Sequence, residues 1–168
     1  MLKRGFTLIE LLVVASIIII LTTTFFANYR GGERQFSLTQ SAQKLAQDLR
    51  TTEEMALAGE KWAGVFPSGG YGIYFTNNSN SYILFADLDG DKEYDVGEKV
   101  KDLFLEENVI ISSISPSSPL NITVFPPNPT VTIKPSGQSA VNSATITITL
   151  AGKTKTITIN IVGLIDVD

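Results

Sequence analysis

The residues with the most capacity for chemistry are acids. Asp87, Asp89, Asp91, Glu93, Asp95 and Glu98 fall within twelve residues, with Lys92 the one base among them. The alternation puts carboxylates at places 1, 3, 5, 7, 9 and 12 of a twelve-residue loop, the pattern that wraps oxygen ligands around a calcium ion. The glycine that such loops carry at the sixth place is missing. Lys92 stands there, and Gly90 comes two places early. No pair of helical patterns flanks the loop. Acids this close repel one another unless water or a cation lies between them. Two readings follow: a structural Ca2+ held by these six side chains, or a solvated Asp-Gly hairpin turn between Phe85 and Val100.

A second acid stands where acids are rare. Glu10 is the one charge between Phe6 and Tyr29, and the 19 residues from Leu11 to Tyr29 are uncharged. At about 1.5 Å of rise per residue, such a helix covers most of a bilayer core of about 30 Å. Lys3 and Arg4 precede it and favour keeping that end in the cytoplasm. A cleaved secretory signal has a shorter apolar run and a small-residue site after it. Here the run ends in Phe25-Phe26-Ala27-Asn28-Tyr29. A carboxylate in a membrane span costs on the order of 2.5–3.5 kcal/mol at the centre. Near the helix start the cost falls and the helix dipole helps. A simple anchor has no need of this acid. If the chain is cut between Gly5 and Phe6, the new amine of Phe6 lies in the same apolar layer. Glu10 of a neighbouring subunit then neutralises it, and the pair sets the register of helices lying side by side.

The composition closes off other chemistry. The 168 residues contain no cysteine and no histidine. Disulfides, cysteine nucleophiles, His or Cys zinc sites and Ser-His-Asp triads are therefore excluded. No residue pattern points to catalysis, and the chain is read as a non-enzyme. A net charge of -4 gives no general attraction to nucleic acid.

These acids must be positioned by two kinds of element. After Gly31-Gly32, read as a helix break, a flexible point or a tolerated exposed pair, a helical pattern resumes. Leu38, Ala42, Leu45, Leu49 and Ala56 form an apolar stripe widened by Ala46 and Met55. Gln43, Lys44, Gln47, Asp48, Arg50 and Glu54 fill the other face, and Gly59 ends the run. Beyond Trp62 the pattern is of short strands: 72–75, 82–86, 109–111, 122–125 and 131–134. Two alternating Ile/Thr runs, 144–150 and 155–162, are joined by Ala151-Gly152-Lys153-Thr154. Pro116, Pro119, Pro126, Pro127 and Pro129 assign 115–130 largely to loops or edge positions. The expectation is an α+β fold with about eight strands in two antiparallel sheets. A long N-terminal helix, transmembrane then amphipathic, packs on a β-sandwich-like head. Its divisions are 1–5 leader, 6–30 membrane and assembly helix, 31–61 amphipathic helix and 62–168 head.

The run Lys3-Arg4-Gly5-Phe6-Thr7-Leu8-Ile9-Glu10-Leu11-Leu12-Val13-Val14 resembles the N-terminus of type IV prepilins and type II secretion pseudopilins. The resemblance implies that a prepilin peptidase cuts after Gly5 and N-methylates Phe6, and that Glu10 serves filament assembly. The head segments 131–137 and 161–167, with the Ile/Thr hairpin between them, are similar to the GspH/FimT branch of minor pilins and pseudopilins. Gly163-Leu164 departs from the Gly-Arg of that branch, and with Asp166 and Asp168 it argues against DNA binding. The absence of a proline before Pro67 and of a disulfide favours a minor subunit over a main filament subunit. The function implied is priming or capping of a secretion or pilus filament. The alternative is a tip module that binds cargo, a surface or DNA. Implied partners are other pilins or pseudopilins, the prepilin peptidase and an inner-membrane assembly platform. The implied location is a single pass of the bacterial inner membrane with the head outside the cytoplasm, periplasmic in a Gram-negative cell.

Overall fold

A computed structural model describes residues 5–126 and 130–168, with the side chains of all but 26–31. Lys3 and Arg4 of the expected leader, and Pro127 and Pro129, lie outside the described residues. The chain divides into two units, Met1–Phe36 and Ser37–Asp168.

One helix, α1 (Leu8–Ala58), precedes all the strands. Its backbone stays helical at Gly31 and Gly32, so the glycine pair is no break. Thr7 caps its start. The Thr7 carbonyl accepts the amide of Leu11 at 3.2 Å, and its hydroxyl accepts the amide of Glu10 at 3.4 Å. In the first unit, the stretch Leu8–Phe25 is long and apolar enough to cross a membrane, and none of it is buried.

In the second unit, Leu38, Ala42, Leu45, Ala46, Leu49 and Ala56 of α1 are all buried, as the stripe predicts. The helix ends in a Schellman motif. Gly59 takes φ +61°, its amide bonds to the Ala56 carbonyl, and that of Glu60 bonds to Met55.

Among the described residues nine strands follow: β1 (Gly70–Phe75), β2 (Ser81–Asp87), β3 (Lys99–Phe104), β4 (Ile110–Ser115), β5 (Leu120–Phe125), β6 (Thr130–Pro135), β7 (Ser143–Leu150), β8 (Lys153–Asn160) and β9 (Ile165–Val167). They make two antiparallel sheets, ordered β3-β2-β1-β5-β6 and β4-β7-β8-β9. One apolar cluster joins the buried face of α1 to both sheets, through Tyr71, Ile73, Leu84, Ile122 and Ile133 of the first and Ile146, Ile148, Ile157 and Ile159 of the second.

Three expectations change. β3 was not foreseen, because Lys99, Lys101 and Asp102 break the apolar alternation; charges suit an edge strand. β5 contains the strand read at 122–125, but it is interior, flanked by β1 and β6, where the prolines had assigned 115–130 largely to loops or edge positions. The prolines all fall outside Leu120–Phe125, so none removes a ladder donor. The β7–β8 turn is two residues, Ala151 and Gly152 at φ +50° and +82°, rather than four.

Candidate functional site

Two places carry the acids singled out by the sequence. The first is the helix start. Gly5 and Phe6 precede α1, and Phe6 is 69% exposed. Glu10 lies in the first turn of α1, exposed, where the helix dipole favours a carboxylate. Thr7-x-x-Glu10 is the sequence signature of a capping box, and it was legible though unused. Among the described residues, no hydrogen bond or ion pair engages the Glu10 carboxylate. An acid held at a fixed point on an uncovered apolar helix is suited to meeting a cation from another chain.

The second is the loop between β2 and β3, and its acids do not converge on one point. Asp87, Asp89 and Asp91 come together, with carboxylate oxygens within 4.8 Å of one another. Asp87 is fully buried at the end of β2. Its Oδ1 accepts the amide of Gly90 at 2.6 Å and its Oδ2 that of Lys92 at 3.1 Å. Asp89 accepts the amide of Asp91, and Asp91 that of Glu93, as in Asx turns.

The other three acids do different work. Glu93 forms an ion pair with Lys134 of β6 at 2.9 Å and accepts the amide of Gly137. The Lys134 ammonium holds its carboxyl below the usual range. Glu98 is 5% exposed and folds back into the loop. It takes the Leu88 amide at 2.6 Å and the Asp95 amide at 3.0 Å. Burial pushes its carboxyl up, the two amides oppose that, and Asp87 and Asp89 add to it. The Asp95 side chain is exposed. A six-ligand cradle of the spacing read from the sequence is therefore not assembled. Only Asp87, Asp89 and Asp91 are placed to hold a cation together.

Residues that the sequence reading passed over hold this loop down. Buried Asn121 of β5 accepts the amide of Tyr94 at 3.0 Å and donates to the Lys134 carbonyl and the Ser136 hydroxyl. The Tyr94 ring lies 5.0 Å from that of Tyr74 and 5.7 Å from that of Phe85. An Asn inside an apolar strand was the available signal, since a buried amide needs partners. The loop thus covers the sheet face turned away from α1.

Comparison with known families gives two matches. The family model described as type II transport protein GspH matches residues 41–163, and the prokaryotic N-terminal methylation motif matches residues 1–26. Comparison with curated proteins and with solved structures returns no match. The first match covers most of the helix–sheet unit, and the second covers the uncovered helix with its exposed acid. The chain belongs to the GspH family of pilin-like type II transport proteins.

Proposed function

We propose that this protein is a minor pseudopilin that primes or caps a membrane-anchored filament of the type II secretion class. The observation that carries the reading is Glu10: an exposed carboxylate in the first turn of an apolar helix whose Leu8–Phe25 stretch is covered by nothing. A prepilin peptidase cuts between Gly5 and Phe6 and methylates the Phe6 amine. In the filament, Glu10 of one subunit neutralises the Phe6 amine of the next in a layer of low dielectric, where an unpaired charge is costly. The helix spans the inner membrane once, basic end in the cytoplasm. The head lies on the far side and makes the subunit contacts that select partner pseudopilins. It performs no catalysis.

Two measurements test this. Mass spectrometry of the polypeptide isolated from membranes is expected to find a chain beginning at methylated Phe6. Glu10→Ala is expected to remain membrane-inserted and to drop out of cross-linked complexes with co-expressed pseudopilins. A mature chain starting at Met1, or normal assembly of Glu10→Ala, overturns the reading.

A further inference from the structure

The acidic loop has the backbone of a cation-binding turn, and a cation is already in it. Lys92 stands where a loop of this spacing has its glycine, and it adopts φ +69°, the left-handed conformation that glycine takes freely there. The turn is thus kept although a long side chain occupies the position.

The side chain folds inward. The Lys92 ammonium lies 3.5 Å from Oδ2 of Asp87, donates to the Gly69 carbonyl at 2.9 Å, and sits 4.8 Å from the centre of the Phe125 ring. Carboxylate, carbonyl and π-face all present negative charge to one amine. The fit around Asp87 is tight. A Cβ at Gly69 would fall on the Asp87 carboxylate, so that position leaves room only for glycine.

The charge requirement is also met. Asp87 is fully buried with Asp89 and Asp91 close by, and a buried carboxylate beside two others needs a positive partner. Lys92 supplies it. The acid at the twelfth place, which clasps the ion in a calcium loop, here spends both oxygens on loop amides. The acid at the seventh place is paired with Lys134.

We propose that Lys92 is a built-in replacement for a divalent cation in the 87–98 loop. The head then folds and functions independently of Ca2+. A free ion must displace a tethered amine whose effective concentration is set by the chain. Removing the Lys92 charge leaves Asp87, Asp89 and Asp91 as an open divalent site. This inference does not depend on the filament reading, because its readout is the head alone.

The experiment is thermal unfolding of the full chain in detergent, in EDTA and in ~5 mM Ca2+, above the roughly 1 mM that weak extracellular calcium modules need. Wild type is expected to melt at the same temperature in both, and so is Lys92→Arg, which keeps the charge. Lys92→Gly relaxes the backbone, and Lys92→Met keeps a long side chain without the charge. Each is expected to gain roughly 3–6 °C in Ca2+ at about ten times its Kd. Adding Asp89→Asn and Asp91→Asn is expected to remove that gain. A Ca2+-dependent rise in wild type overturns the proposal whatever the variants do. So does a lack of response in both charge-removing variants, including their failure to fold in either condition.

Discussion

The Tyr82 hydroxyl donates to Oδ2 of Asp48 at 2.6 Å, tying β2 to the polar side of α1. Tyr82 is 1% exposed, and burial pushes its hydroxyl far above the ordinary value of 10.0, with the Asp48 bond adding to the rise. A phenol buried to its tip needs a partner, and a charged acceptor makes the stronger bond. Tyr82→Phe keeps the ring against Phe75, 5.3 Å away, and removes only that bond. The expected loss is about 1.5–3 kcal/mol in chemical denaturation. In wild type, the stability from neutral Tyr82 is complete below pH 10 and falls as pH rises above it, because the unfolded chain ionises first. The variant is expected to lack that alkaline loss.

Glu93 and Glu53 are expected to respond to acid in opposite directions. The carboxyl of Glu93 lies below its ordinary value of 4.5 because Lys134 favours the charged form. Its contribution is present above pH 4.5 and is lost as pH falls through the lowered folded value. Glu93→Gln is expected to cost about 0.5–1 kcal/mol at pH 7, a cost that shrinks as pH falls below 4.5. Glu53 on α1 is raised by burial, with Arg50 opposing, and its Oε1 is buried without a hydrogen bond. A raised acid stabilises the fold below pH 4.5 and loses that contribution as pH climbs through the folded value. Glu53→Gln is therefore expected to gain stability at pH 7 relative to wild type and to show no such gain below pH 4. Unfolding curves across this range read out both.

Gly72, inside the central strand β1, is expected to tolerate even one added methyl group poorly. It pairs with Phe85 on one side and Thr123 on the other. An added Cβ would lie 2.6 Å from the Phe85 ring and 2.7 Å from the Thr123 methyl. The ring cannot withdraw, because Tyr94 of the acidic loop lies over it. Gly72→Ala is expected to cost about 1–3 kcal/mol by overpacking. Phe85→Leu in the same chain is expected to recover part of it, a non-additivity that a double-mutant cycle would measure.

The sequence by itself determined the elements whose signal is local. The uncharged run after Glu10 shows a helix long and apolar enough to cross a membrane, because length and composition alone decide that. The stripe from Leu38 to Ala56 and the Ile/Thr alternation of β7 and β8 each show which face is buried, because periodicity alone separates the two faces. The Gly5-Phe6-Glu10 spacing pointed to the family for the same reason: all its parts lie within six residues.

What needed the tertiary structure was every choice between partners distant in sequence. Six acids in twelve residues allowed either one cation cradle or a solvated turn. Folding divides them instead, because Lys134 and the loop's own amides reach Glu93 and Glu98. Lys92 read as a departure from a metal loop. Only the approach of Gly69 and Phe125, 23 and 33 residues away, gives its ammonium a place. The interior place of β5 needed the tertiary structure, because strand position in a sheet depends on neighbours and not on the strand's own residues. Short-range spacing fixes which groups a segment offers, while long-range packing fixes which of them meet, because side-chain charge and hydrogen-bond energies fall off within a few ångströms.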